Sequence, residues 1–346
     1  MSPRGRLAVA AALPLVAVAA GAAVVEQPDA PRPGAACAAT VEPRVGPAGS
    51  IVLAADRRLW LADEAGDRFV AFDPETAASE EVRLPAGTRP HRVIGGPDGS
   101  LWFTSRLPAI GSVDPRTGRV RLHRLRGLAG ARPDDLVFDR EGRGVFFTDP
   151  GRGRLSHLDL ETREVVEHSR GLPRNSGLHG LTVDLAGNLW VALPGNDAIA
   201  RFAVRRSRFD RVVRFSPGSG PRHLLFLHRG EEISPLVYAS LAGSGALGEY
   251  DIGSRDVRER PTGVPGRPGP AHGERGLGQL LVGPDATTLW VATGRPGVVR
   301  YDIRRGRLRA SRCGLDGGAA TQELVIGPEK GVWVTLGRRG GIARVD

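Results

Sequence analysis

The chain repeats one sequence unit seven times, and this repetition constrains its fold more than any other feature. Most copies contain a short apolar run with the dipeptide Leu-Trp, or an equivalent aromatic residue, at its end. The aromatic positions are Trp60, Trp102, Phe146, Trp190, Tyr238, Trp290 and Trp333. Neighbouring copies are about 42 to 52 residues apart, which is the period of a β-propeller blade. We therefore expect a ring of seven similar units.

Each copy contains four short segments in which apolar and polar residues alternate. Alternation with a period of two is typical of half-buried strands. Turns such as "DPRTG", residues 114–118, separate the segments, since Pro fixes φ and Gly accepts a positive φ. The pattern predicts an all-β, seven-bladed β-propeller with four-stranded antiparallel blades. A β-sandwich would not repeat one unit seven times, and a β-helix uses shorter coils.

The last copy stops at Asp346, after its third strand, and lacks the outer strand of the other copies. An open sheet edge invites unwanted strand pairing. The segment "AATVEPRVG", residues 38–46, has the composition to supply the missing strand. We therefore predict one propeller domain over residues 38–346, with its ring closed by an N-terminal strand.

The first 25 residues have the layout of a secretory signal peptide. Two arginines precede an uncharged apolar run, and small residues follow around Ala20 and Ala23. Residues 26–37 read as a Pro-rich linker. The alternatives are an uncleaved membrane anchor and a lipoprotein with Cys37 as the lipidated residue. The favoured prediction is a secreted or cell-envelope protein.

The chain has two cysteines, Cys37 and Cys313. In an exported protein an even number of cysteines favours a disulfide. Closure of the ring by the N-terminal strand would bring Cys37 towards the late blades. We expect a Cys37–Cys313 bond, and two unpaired thiols are the alternative.

The formal net charge of +10 comes almost entirely from arginines that are scattered among acidic residues. Aromatic residues make up only 5% of the chain, which offers few surfaces for base stacking. This argues against nucleic-acid binding, whereas a basic surface can attract acidic ligands. The expected partner is a small molecule or peptide at the channel face. We expect a monomer, without membrane attachment once the signal peptide is cleaved.

The innermost strands of a propeller begin around one end of its central channel. Alignment of the copies gives seven equivalent positions there: Gly49, His91, Asp134, His179, Arg222, Gly278 and Gln322. An aspartate between two histidines could hold a divalent metal or orient one imidazole as a base. Asp149 and Asp63, at the ends of neighbouring segments, could add carboxylates. The residues could equally be the polar lining of a water-filled channel.

Two further residues of this ring suit ligand binding. Arg222 could hold a carboxylate or stabilise a developing oxyanion, and Gln322 could add a hydrogen bond to a substrate. His223 lies one residue out of register with the ring, so strand alternation predicts that it points elsewhere.

The segment "RPHRVIGGPDGSLWFTS", followed by "IGSVDPRTG", resembles the virginiamycin B lyase (streptogramin B lyase) family, and the resemblance extends over residues 47–346. It implies a seven-bladed propeller that opens a cyclic depsipeptide by elimination, without water. It also implies a histidine at the proton transfer and a Mg²⁺ ion near glutamates. His91 matches the "RPH" motif. His179 in "GLHG" matches "EPHG" in part, and the segment "LWVALPG" has no glutamate where the family has one.

The resulting expectation is a metal-assisted lyase that acts on a cyclic depsipeptide or related ester. His91 and His179 are its predicted catalytic residues, with one of them as the base. Arg222 and Gln322 are the predicted substrate contacts, and Asp134 and Asp149 are the predicted ligands of Mg²⁺. The alternatives are a non-catalytic propeller that binds a ligand or protein, and a metal-dependent lactonase or esterase.

Overall fold

The computed structural model describes residues 22–23, 39–42, 49–228, 230, 234–266, 276–313, 315, 320–337 and 340–345. Most of the predicted signal peptide and linker, including Cys37, lies outside these residues. Among the described residues, no helix is long and apolar enough to cross a membrane. The helical elements described are two single 3-10 turns at Pro194–Asn196 and Val204–Arg206.

Two short strands come first in the chain, namely β1 (Ala22–Ala23) and β2 (Ala39–Glu42). Three blades follow. Blade 1 consists of β3 (Ile51–Leu53), β4 (Leu59–Asp63), β5 (Arg68–Phe72) and β6 (Ser79–Arg83). Blade 2 consists of β7 (Pro90–Gly95), β8 (Leu101–Ser105), β9 (Ala109–Val113) and β10 (Val120–Arg124). Blade 3 consists of β11 (Leu136–Phe138), β12 (Gly144–Asp149), β13 (Arg154–Asp159) and β14 (Val165–His168).

The second half of the chain forms four more sheets. Blade 4 consists of β15 (Leu181–Val183), β16 (Leu189–Leu193), β17 (Ala198–Ala203) and β18 (Arg208–Arg214). Blade 5 consists of β19 (Pro221–Leu227), β20 (Leu236–Leu241), β21 (Ala246–Asp251) and β22 (Val257–Pro261). Blade 6 consists of β23 (Leu280–Val282), β24 (Thr288–Ala292), β25 (Val298–Asp302) and β26 (Arg307–Ser311). Blade 7 contains β27 (Leu324–Ile326), β28 (Val332–Thr335) and β29 (Ile342–Val345).

The seven sheets form a ring around a channel. The first strand of each blade contacts the first strand of the next blade, and β27 of blade 7 contacts β3 of blade 1. Within each blade the strands pair antiparallel with their sequence neighbours. In blade 7 the outermost strand is β2, which pairs antiparallel with β29. Strand β1 pairs parallel with β19. The prediction of an all-β, seven-bladed propeller is confirmed.

The hydrophobic core lies between neighbouring blades, and the repeated aromatic residues form much of it. Trp190 is completely buried and Trp60 is 1% exposed. Between blades 1 and 2, the rings of Phe69 and Phe103 meet edge to face with centroids 5.0 Å apart. Burial of each large side chain contributes roughly 1.5–3 kcal/mol to folding. These aromatic residues therefore hold blades together, as the repeat predicts.

The first strands of blades 2 and 5 begin with a β-bulge. The register shifts between Pro90 and Val93 in β7, and between Pro221 and Leu224 in β19. Inside the first bulge, the Arg92 amide donates to the side-chain Oγ1 of Thr104, in the partner strand β8, at 3.0 Å. A bulge sets two residues opposite one and interrupts strict alternation. Two consecutive side chains can therefore face the channel at these positions.

Candidate functional site

Three of the predicted ring residues meet at one mouth of the channel. His91 lies in β7 of blade 2, Asp134 precedes β11 of blade 3, and His179 precedes β15 of blade 4. His91 Nε2 is 3.3 Å from Asp134 Oδ1, and His179 Nδ1 is 2.8 Å from Asp134 Oδ2. One carboxylate thus joins two imidazoles from the blades on either side of it. This is the His-Asp-His arrangement that the alignment predicts.

Glu64 extends this chain of contacts to blade 1. It follows β4, and its Oε2 is 3.2 Å from His91 Nδ1. Arg106 donates from Nε to Glu64 Oε1 at 3.0 Å and from Nη2 to Oε2 at 3.2 Å. Arg89 Nη2 is also 3.2 Å from Oε1. The polar chain at the mouth therefore runs from Glu64 through His91 and Asp134 to His179.

The sequence interpretation did not select Glu64, because it considered the preceding residue, Asp63. Asp63 turns back into its own hairpin, where it accepts from the Gly66 amide at 2.9 Å and from Arg68 Nε at 2.8 Å. A signal for Glu64 is present, since it follows Trp60 by the same four residues that separate Trp102 and Arg106.

The electrostatics of the mouth make His91 cationic at neutral pH. Burial lowers the pKa of His91, but its contacts with Asp134 and Glu64 outweigh burial and raise that pKa to about 9. Burial raises the pKa of Glu64, whereas His91 and Arg106 lower it to about 2. Burial also raises the pKa of Asp134, and the two histidines lower it well below its usual range. Both carboxylates are therefore ionised, and His91 carries a proton between them.

A second charged cluster lies one residue further along the same strands. Arg92 Nη1 is 2.7 Å from Glu323 Oε1, and Arg92 Nε is 3.2 Å from Asp135 Oδ1. These two contacts link blade 2 to the adjacent blade 3 and, past blade 1, to blade 7. The two acidic neighbours outweigh the effect of burial and raise the pKa of Arg92 above its ordinary value. Arg92 is therefore a permanent cation inside the channel.

Hydrogen bonds use the remaining oxygens of this cluster. Glu323 Oε2 accepts from Ser50 Oγ at 2.6 Å and from the Ile51 amide at 3.3 Å, both in blade 1. Asp135 Oδ2 accepts from the Leu181 amide of blade 4 at 2.8 Å. Burial raises the pKa of Asp135, although the charge of Arg92 opposes this. The cluster ties together blades 7, 1, 2, 3 and 4.

The expectation that His223 points away from the channel is wrong. His223 follows Arg222 in the bulge of β19, and its amide donates to Ser240 Oγ at 3.1 Å. Burial, together with the charges of Arg222 and Arg92, lowers the pKa of His223 to about 3. Asp134 has a smaller effect that raises the pKa of His223, and His179 has a smaller effect that lowers it. His223 is therefore a neutral imidazole beside the two clusters, because the bulge allows consecutive residues to face inwards.

Arg222 lies next to His179 because the inner strands of blades 4 and 5 approach closely. The Gly180 amide donates to the Arg222 carbonyl at 2.9 Å. A Cβ on residue 180 would be 2.3 Å from that carbonyl oxygen, so only glycine fits here. Gln322 precedes β27 of blade 7 and is half-buried. Among the described residues, the structure gives its side chain no hydrogen bond to the His91–Asp134–His179 chain.

The predicted metal ligands do not form a metal site in the described part of the chain. Asp149 is 1% exposed, and its two oxygens accept from the amides of Arg132 and Arg152, both at 3.1 Å. Asp134 is shared by two histidines. No group of three or more His, Cys, Asp or Glu side chains within the described ranges is arranged to hold an ion. These donors do not fit Mg²⁺, which prefers several oxygen ligands in octahedral geometry.

Only one of the two cysteines of the predicted disulfide belongs to the described residues. Cys313 follows β26 in blade 6 and is 2% exposed. Its expected partner, Cys37, lies outside the described residues. The pairing of these two cysteines stays a prediction.

No model of a known protein family matches the sequence, and a comparison with curated proteins finds no match. Solved structures do match the fold. A streptogramin B lyase structure superposes with a TM-score of 0.73 and 16% identity, covering 90% of this chain and 97% of that one. A catalytically inactive histidine-to-alanine variant of virginiamycin B lyase from Staphylococcus aureus, solved with quinupristin, gives 0.71 and 15%, covering 89% and 99%.

A second kind of protein contains the same fold. The extracellular domain of a putative hybrid two-component system from B. thetaiotaomicron matches with a TM-score of 0.65 and 13% identity. The match covers 87% of this chain and 40% of that one. At these identities the likeness concerns the fold alone. The chain thus shares the seven-bladed propeller fold of virginiamycin B lyase.

Proposed function

We propose that the channel mouth is a proton-transfer site that opens an ester bond by elimination, in a cyclic depsipeptide or a related compound. The observation that carries this proposal is the hydrogen-bonded chain in which Asp134 joins His91 and His179. The chain places one imidazole suited to accept a proton close to a second imidazole that is already positively charged.

His179 acts as the base. Its Nδ1 lies 2.8 Å from Asp134 Oδ2, so a proton on Nδ1 points at this carboxylate, and Nε2 is the ring nitrogen that would take the proton of the substrate. A carboxylate that fixes the tautomer in this way also stabilises the imidazolium that forms. His91 is less suited to this role, because a pKa of about 9 leaves it protonated at neutral pH.

His91 and Arg222 stabilise the negative charge that develops on the leaving group. In the elimination, His179 takes a proton from the carbon next to the one that bears the ester oxygen. The electrons of the broken C–H bond form a C=C bond, and the ester C–O bond breaks. The group then leaves as a carboxylate, and no water is consumed. Fixed cations near a developing anion lower the barrier because they need no reorganisation.

Two of the similar structures support this assignment. The quinupristin complex contains a lyase that is inactive after loss of a histidine, and the mouth in this chain contains two histidines, His91 and His179, joined by one aspartate. The similar sensor domains are extracellular, which agrees with the predicted signal peptide. We therefore propose that the protein acts after export.

Incubation with quinupristin, followed by liquid chromatography and mass spectrometry, tests the proposal. Elimination opens the ring without a change in mass but alters the retention time, whereas hydrolysis adds one water. We expect the product of unchanged mass. His179→Ala should lower the rate by roughly 10²–10⁴-fold, the usual contribution of a general base. The matched control is His168→Gln on the outermost strand β14, which should keep the wild-type rate.

Two results would contradict the proposal. One is quinupristin that stays unchanged at high enzyme concentration, which rules out this activity. The other is equal turnover by the wild type and His179→Ala, which removes His179 from the reaction.

The second candidate is a propeller that binds its ligand at the mouth without converting it. The extracellular sensor domains with the same fold favour this candidate. It predicts that quinupristin, or another depsipeptide, raises the melting temperature of the protein while its mass and retention time stay unchanged. The lactonase alternative is less favoured, because it depends on a set of metal ligands that the described residues do not provide.

A further inference from the structure

We infer that side-chain cations take the place of a divalent metal at this channel mouth, and that the mouth binds an anionic group of its ligand directly. This inference rests on the proposed function only for the location of the ligand. It concerns binding, so it can be tested without turnover.

Cationic side chains of the protein already contact both oxygens of the Glu64 carboxylate. Arg106 and Arg89 approach Oε1 at 3.0 and 3.2 Å. Arg106 Nη2 and His91 Nδ1 approach Oε2, both at 3.2 Å. A metal ion at Glu64 would have to displace these three side chains, and it would then lie beside their positive charges.

Asp134 is also occupied on both oxygens. His91 lies 3.3 Å from Oδ1, and His179 lies 2.8 Å from Oδ2. A hard divalent cation prefers oxygen ligands, including waters, to the nitrogen ligands that imidazoles offer. A cation on Asp134 would break the contacts that orient both histidines.

The deeper carboxylates offer no replacement. Glu323 is bound by Arg92, Ser50 and the Ile51 amide. Asp135 is bound by Arg92 and by the amides of Leu136 and Leu181. Both side chains are therefore used within the protein, and Arg92 keeps a positive charge between them.

The mouth has more cations than carboxylates. Arg89, Arg106 and His91 contact Glu64, and His91 also contacts Asp134. Arg222 from blade 5 adds a fourth cationic side chain to the ring of residues at the mouth. Arg222 has no carboxylate partner among the described residues. A guanidinium group binds a carboxylate through two parallel hydrogen bonds. Arg222 is therefore the residue to which an anionic ligand group would bind, next to His179.

The metal part of the inference is tested with Mn²⁺ alone, on wild-type protein that has been treated with a chelator. Electron paramagnetic resonance measures free Mn²⁺ directly. We expect the signal of free Mn²⁺ to be the same with and without protein. Uptake of one equivalent by the wild type, abolished by Glu64→Gln, would overturn the inference.

The anion part is tested with benzoate and benzamide, which have similar shapes and differ in charge. Ligand-observed NMR titration measures both affinities. We expect benzoate to bind more tightly than benzamide, and Arg222→Gln to weaken benzoate binding by about tenfold or more, because the charge-assisted pair of hydrogen bonds is lost. Arg214→Gln on the exposed outer strand β18 is the control and should bind like the wild type.

Equal binding of benzoate and benzamide, or an affinity for benzoate that Arg222→Gln leaves unchanged, would contradict the anion site. Neither binding test uses quinupristin turnover. A failure of the proposed elimination and a failure of this inference therefore give different results.

Discussion

His91 and Arg92 are consecutive residues of one strand, yet both side chains face the channel. His91 Nε2 is 3.3 Å from Asp134 in the next blade, whereas Arg92 Nη1 is 2.7 Å from Glu323 in blade 7, two blades away in the opposite direction around the ring. Regular pleating would send one of the two to the opposite face. The bulge at the start of β7 removes this restriction. One strand therefore supplies two cations: His91, which contacts Asp134 at the mouth, and Arg92, which lies inside the channel.

Replacement of Arg92 should destabilise the protein strongly. Arg92→Met keeps much of the side-chain volume but leaves Asp135 and Glu323 buried without their cation. Removal of one partner from a buried ion pair costs about 3–5 kcal/mol of unfolding free energy. Urea denaturation of the variant and the wild type measures the difference. Arg124→Met on the exposed end of β10 is the control and should change stability by less than about 0.5 kcal/mol. Equal stability of the two variants would contradict a structural role for Arg92.

The stability that His91 contributes should fall at alkaline pH. The folded-state pKa of about 9 lies above the ordinary value of 6.5, so protonation favours the folded state. The contribution is therefore complete below pH 6.5 and is lost as the pH rises through 9. With allowance for screening by solvent, we expect on the order of 1–2 kcal/mol. Denaturation of the wild type and His91→Gln between these pH values measures it. A stability difference that does not change with pH would contradict this assignment.

A side chain at residue 180 should disturb the contact between blades 4 and 5. Gly180→Ala brings a Cβ to 2.3 Å from the Arg222 carbonyl oxygen, so the two strands must separate. Overpacking of this kind costs about 1–3 kcal/mol, and we expect a lower melting temperature. Gly95→Ala is a matched control, because a Cβ there meets nothing within 4 Å. Equal melting temperatures of the two variants would show that the strands can separate freely.

Cys37 and Cys313 are expected to form a disulfide. Alkylation of the denatured protein without reductant, followed by mass spectrometry, should label no thiol, and reduction should expose two. Cys313→Ser should lower the free energy of unfolding by about 2–5 kcal/mol. Labelling of both cysteines before reduction would instead support the alternative of two unpaired thiols.

The sequence predicts the architecture well, because each blade repeats the same physical pattern. Trp60 and Trp190 occupy equivalent positions in their blades and are buried as expected. The turn at residues 114–118 separates β9 from β10, where Pro and Gly place it. Repetition makes such features predictable, because a copy with a divergent sequence can be interpreted by comparison with the other copies.

The site was only partly predictable, because it depends on departures from regular strand geometry. The alignment brings His91, Asp134 and His179 to one place, and the structure brings them within hydrogen-bonding distance. The alignment does not select Arg92 or Glu323, because strict alternation assigns neighbouring residues of a strand to opposite faces. Asp149 looked like a free carboxylate in the sequence, but its oxygens accept turn amides. Which oxygens are already used can be decided only in three dimensions.

The contact of Arg92 with Glu323 has a consequence for how the ring comes apart. Most contacts in a propeller join adjacent blades, so a break between blades 7 and 1 would let the terminal blades detach in sequence. Arg92 spans that junction from blade 2, while Ser50 of blade 1 holds the same glutamate. Detachment of either terminal blade therefore requires this buried ion pair at the centre of the ring to break, in addition to the contacts between β27 and β3.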